Sequence, residues 1–133
     1  MLWRTKSASE MSGNRIVSDT NPLIYLLNGN EEAGQHLDQR ECWVSEITEL
    51  EIFGKKNLRA SDKKEIDLLL ASCFIIDLQP GIKDIVKSLQ QSTNLKLPDA
   101  IIAATALYLD LPLLTADRVF KQVAGLELML LTF

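Results

Sequence analysis

Four acids in this 133-residue chain stand where carboxylate chemistry would need them. Asp19 follows the β-branched run Arg15-Ile16-Val17-Ser18 and leads through Thr20-Asn21-Pro22 into an apolar helical stretch. Asp117 repeats that arrangement after Leu113-Leu114-Thr115. In open α/β sheets, the carboxyl ends of strands are where ligands bind. Asp99 opens a run from Ala100 to Leu107 that is apolar except for Thr105, on every side of a helical wheel. A helix apolar all round is normally buried all round, so its acid is expected at a buried mouth. Glu51 shares one wheel face with Ile47, Leu50, Gly54 and Leu58, which is read as the inward face, whereas Glu49 points the other way toward Lys56 in a solvated pair. Each acid also has a plain structural use. Asp19 or Thr20 would cap a helix, and Asp99 would complement a helix dipole. If the four converge, their like charges raise one another's pKa. A hard, oxygen-seeking cation such as magnesium or manganese resolves that repulsion. The chemistry such a cluster supports is metal-assisted phosphodiester hydrolysis.

The elements that must position these acids follow from the pattern. Strands are expected to begin near residues 15, 42, 74, 112 and 127, each separated from the next by helical segments. A polar helix is expected over 31–40. Ser45 caps a helix running to about Leu58, and Ser61 caps another to about Ser72. Pro80-Gly81 opens an amphipathic helix to about Gln91. The central helix begins at Pro98, tolerated in a first turn where its missing N–H has no intrahelical partner anyway, and Asp110-Leu111-Pro112 ends it. Such alternation predicts right-handed βαβ units, a mainly parallel sheet and helices on both faces.

Apolar residues make up 47% of the chain and charged residues 24%, as in an ordinary globular domain, and the length suits one domain over 15–133. The net charge of −4 counts against a simple nucleic-acid coat but not against an acidic site neutralised by a cation. The one concentrated positive stretch is 55–64, with Lys55, Lys56 and Arg59 as candidates for phosphate contact and a solvated loop as the plain alternative. Cys42 and Cys73 have apolar neighbours and are read as buried free thiols, with a disulfide as the minor reading. The one histidine, His36, lies in a polar stretch and is expected at the surface, so paired-histidine acid–base catalysis is excluded. Residues 1–14 are read as a flexible extension, with Met11 as a second possible start, and they contain no apolar signal segment. No apolar run is long enough to span a bilayer, which predicts a cytoplasmic protein without membrane association.

Four pieces, in order, resemble the PIN-domain ribonucleases of the VapC toxin type. They are Ile16-Val17-Ser18-Asp19-Thr20-Asn21, Ser45-Glu46-Ile47-Thr48-Glu49-Leu50-Glu51-Ile52-Phe53-Gly54, Leu97-Pro98-Asp99-Ala100-Ile101-Ile102-Ala103-Ala104-Thr105-Ala106, and Leu114-Thr115-Ala116-Asp117-Arg118-Val119-Phe120. The resemblance implies a three-layer α/β/α PIN-like domain with about five strands. It implies a magnesium- or manganese-dependent endoribonuclease whose catalytic, metal-holding quartet is Asp19, Glu51, Asp99 and Asp117. Thr20, Asn21 and Thr115 would support those acids from behind. An RNA substrate, a homodimer and a cognate antitoxin whose tail covers the site are implied as well. The alternative is a non-catalytic PIN-like module that binds RNA or protein. A phosphoryl-accepting receiver domain is disfavoured, because Asp19 has no acid beside it and no lysine follows residue 121.

Overall fold

The computed structural model describes residues 14–132. The extension expected over 1–14 lies outside the described residues except for Asn14, whose carbonyl already accepts the Glu41 N–H at 2.7 Å and so belongs to the sheet margin.

Five strands form one sheet: β1 (Arg15–Ser18), β2 (Glu41–Ser45), β3 (Phe74–Ile76), β4 (Leu113–Thr115) and β5 (Leu128–Leu130). All four pairings are parallel and the spatial order is β3-β2-β1-β4-β5. The chain therefore winds outward from β1 in one direction, then returns to its other side at β4. That reversal between β1 and β4 is the topological switch point, where the connections on either side diverge and leave a crevice at the strand carboxyl ends. Asp19 follows β1 directly, and Thr115 and Asp117 end and follow β4.

The helices cover both faces, giving the expected three layers. Helices α1 (Thr20–Leu27), α2 (Glu31–Leu37) and α4 (Ala60–Ala71) pack on one face with Ile16, Val44 and Leu114. Helices α5 (Pro80–Ser92) and α6 (Leu97–Leu109) pack on the other with Val17, Leu113 and Phe120. Residues 100–106 of α6 are all buried, as their unbroken apolar run requires. Truncating a residue such as Ile102, 1% exposed, would cost roughly 2–5 kcal/mol. Asp110 ends α6 in the left-handed conformation, at φ 56°, which a short polar side chain tolerates.

Helix α3 (Glu46–Phe53) lies astride the two cores: Ile52 joins one and Ile47 packs against the other. Its N-cap is Ser45, whose hydroxyl accepts the Ile47 N–H at 3.2 Å. It stops at Gly54 rather than near Leu58. The expected inward face is overturned. Thr48 and Ile52 are buried, whereas Leu50 is 65% exposed and Gly54 and Glu51 face solvent. A wheel with a single core direction fails because two cores pull on this short helix from different sides. The expected Glu49–Lys56 pair is not formed among the described residues; the ion pairs there are Arg15–Glu41 and Arg59–Asp62. Helix α4 is capped by Arg59 and Asp62 rather than Ser61, with Asp62 accepting the Arg59 backbone N–H at 3.0 Å. His36 is half-buried rather than fully at the surface. Cys42 and Cys73 are both free, Cys42 fully buried and Cys73 half-buried. No helix among the described residues is long and apolar enough to cross a membrane.

Candidate metal and nuclease site

The crevice at the switch point is built from a chain of hydrogen bonds. Asp19 is only 6% exposed. Its Oδ1 accepts the Thr20 N–H at 2.8 Å and its Oδ2 accepts the Thr115 hydroxyl at 2.8 Å. The second bond crosses from β1 to β4 and spans the switch point directly. Thr20 donates its own hydroxyl to Glu51 Oε1 at 2.8 Å and lies 3.3 Å from the Thr48 hydroxyl. Glu51, although on the solvent side of α3, is thus tied into the crevice by a threonine at the start of α1. Thr115 Oγ1 also accepts the Asp117 N–H at 3.0 Å, which fixes the turn after β4.

The electrostatics join the remaining acids to this network. Burial pushes Asp19 up to about 6, against the opposing pull of the Thr115 and Thr20 donors, and the charges of Asp99 and Glu51 push the same way. Asp99 is raised as well, first by burial and then by the charges of Asp117 and Glu51, with Lys96 opposing. The charges of Glu51 and Asp99 thus reach Asp19, and those of Glu51 and Asp117 reach Asp99. Asp117 is exposed and also serves locally, its Oδ1 accepting the Val119 N–H at 2.9 Å to cap the 3₁₀ turn Arg118–Gln122. Among the described residues, no three carboxylate, imidazole or thiol groups close into a ready-made cage for an ion. The donor set nevertheless suits a hard cation: oxygen ligands only, with partly buried like charges whose ionised forms are held back by burial and mutual repulsion.

Of the three supporting residues expected, Thr20 and Thr115 are in place. Asn21 is exposed and takes no part in the hydrogen-bond network. Two further residues belong to the crevice and were not singled out as site residues. Thr48 is fully buried beneath Thr20, and its place three residues before Glu51 on one helix, where positions three apart adjoin, is the signal that marks it. Lys96 sits at the N-cap of α6 and acts on Asp99 three residues on. Lys55, Lys56 and Arg59 lie elsewhere, lining a cleft of about 280 Å³ between α1 and α4. Arg59 is committed to Asp62 there, at 3.1 Å.

The sequence matches the PIN-domain family over residues 16–126. Among solved structures, a toxin–antitoxin complex from Klebsiella pneumoniae contains a chain that is 34% identical, with 84% of this chain and 94% of that one covered and a TM-score of 0.74. VapBC2 from Rickettsia felis, bound to a promoter DNA fragment, aligns at 20% identity over 86% of this chain and 97% of that one, with a TM-score of 0.74. DNA-bound VapBC from Salmonella typhimurium aligns at 19% identity over 86% and 96%, again with a TM-score of 0.74. No curated protein matches the chain. The chain belongs to the PIN-domain family.

Proposed function

We propose that this protein is a divalent-metal-dependent endoribonuclease acting as the toxin of a toxin–antitoxin pair in the cytoplasm. The observation that carries the reading is the bridge from Thr115 through Asp19 and Thr20 to Glu51 across the switch point, with Asp99 and Asp117 in electrostatic reach. Asp19, Glu51, Asp99 and Asp117 would hold magnesium or manganese. When bound, the ion supplies an activated water and offsets the charge of a scissile phosphate.

The chain's own residues do the positioning. Thr115 and Thr20 fix both oxygens of Asp19, so its carboxylate has one orientation. Thr20 aims Glu51 back over the strand ends. Groups that orient a metal's ligands in this way usually matter to affinity or activity by about tenfold to a hundredfold. Lys96 brings positive charge to the rim beside Asp99, where a phosphate backbone would pass. Lys55 and Lys56 supply a second, solvent-facing attraction for RNA.

Toxin–antitoxin assembly is what the Klebsiella relative is described as forming, and it supports an antitoxin partner here. The test is cleavage of a panel of structured RNAs by antitoxin-free protein with manganese or magnesium. Metal-dependent cutting that EDTA stops, and that falls by more than about a hundredfold in Asp99→Asn, is expected. Cutting that survives EDTA or Asp99→Asn would overturn the assignment. Folded, antitoxin-free protein that neither cuts nor binds the metal would instead be a binding module.

A further inference from the structure

Away from the acidic crevice, β2 and β3 place two thiols side by side. The parallel register pairs Trp43 with Phe74 and Val44 with Ile75. Cys42 and Cys73 stand one residue earlier on each side, so they share a face of the sheet. Neighbouring strands lie about 4.8 Å apart, and the Cα separations that disulfides span begin at about 4.4 Å. The Cys42 thiol lies 4.0 Å from the Trp43 carbonyl, and the Cys73 thiol donates to the Leu69 carbonyl at 3.4 Å. The proximity of Cys73, and then burial, pushes Cys42 well up, and the proximity of Cys42 holds Cys73 below its ordinary range. The two differ in access, since Cys42 is fully buried and Cys73 half-buried at the end of α4.

We infer that Cys42 and Cys73 form a peroxide-reactive dithiol site that closes to an intramolecular disulfide, stapling the edge strand β3 to β2. The half-buried Cys73 sulfur is the one a small oxidant reaches. As a thiolate it attacks one oxygen of hydrogen peroxide, and the O–O bond breaks. The departing hydroxide takes up a proton as water, leaving Cys73 as a sulfenic acid. The neighbouring Cys42 sulfur then attacks the Cys73 sulfur. The S–O bond breaks, hydroxide leaves with the Cys42 proton as a second water, and the S–S bond forms. Two thiols lose two electrons in all, and one peroxide gains them. The covalent loop encloses α3 and α4, which carry Glu51, Thr48 and residues of the basic cleft, while Asp19, Asp99, Thr115 and Asp117 lie outside it. Closing a loop of that size constrains the unfolded chain far more than the folded one.

The full chain, reduced and freed of reductant, is treated with equimolar hydrogen peroxide and read by intact mass and peptide mapping. The expected result is a loss of two hydrogens, a Cys42–Cys73 cross-linked peptide, reversal by dithiothreitol, and a melting temperature raised by roughly 5 °C or more. Cys73→Ser is expected to abolish the reaction, leaving the buried Cys42 unmodified. Cys42→Ser is expected to stop at a sulfenic acid on Cys73 that dimedone traps. Should either variant fail to fold, the unsubstituted protein still decides by its mass and peptide map. Added oxygen without a cross-link, thiols that stay free, cross-links only between chains, or a lower melting temperature after oxidation would each overturn the inference.

Discussion

The acidic crevice and the basic stretch over residues 55–64 are both charged, and they are built in opposite ways. In the crevice, Asp19 is buried and held at both oxygens, and Glu51 is held by a threonine from another helix. In the basic stretch, Lys55 and Lys56 are exposed, and Arg59 is turned onto Asp62 to cap its own helix. The first arrangement keeps like charges together at a cost in stability; the second leaves charges in water, where they cost little and hold no fixed geometry. Perturbed, oriented carboxylates are what acid–base or metal chemistry requires, whereas the basic stretch offers attraction without orientation.

The largest expected effect that separates the two regions is one of stability. Asp19 has a folded pKa near 6 against an ordinary value of 3.8. The folded state therefore holds more protons between those values, and stability falls as pH rises through that window. The loss is complete above pH 6 and amounts to about 3 kcal/mol. Asp19→Asn should raise stability above pH 7 by up to about that amount, with the gain vanishing below pH 4. Denaturant melts at both pH values measure it, and a variant no more stable at either pH would show that the buried charge carries no such cost.

Next in size is the loss of the threonine supports. Thr20→Val should lower cleavage about tenfold to a hundredfold while the fold survives. Thr115→Val removes a donor that holds the Asp19 pKa down, so it should move the acid limb of the pH–rate profile to higher pH. An unmoved limb would detach Thr115 from the chemistry. The smallest effect belongs to the basic stretch. Replacing Lys55 and Lys56 with Ala should leave cleavage chemistry intact and reduce the salt dependence of binding to single-stranded RNA by a slope of about 0.7 per lost phosphate contact. An unchanged slope would make both lysines purely solvating.

Much of this contrast was legible in the sequence. The strand-then-acid repeats at Asp19 and Asp117 and the all-round apolar helix behind Asp99 fixed three acids by local pattern alone, and all three are where that pattern puts them. The helical wheel that singles out Glu51 has the wrong inward face: Leu50 is exposed and Thr48 buried, because α3 bridges two cores and no single direction is inward. The sheet order, and with it the switch point that gives Asp19 and Thr115 a common crevice, depends on non-local pairing that no short stretch encodes. The cap of α4 was misplaced for a local reason. Ser61 is the better capping type, but the Arg59–Asp62 pair satisfies the helix start two residues earlier.

The central claim is that the hydrogen-bonded acids form a cation site. Titrating manganese calorimetrically into antitoxin-free protein at pH 7.5, beside Asp19→Asn and Glu51→Gln, tests it most directly. Saturable binding by the unsubstituted chain, lost or weakened at least about tenfold in both variants and weakening as pH falls through about 6, is the predicted result. Binding of equal strength in all three proteins, or none in the unsubstituted one, would contradict it.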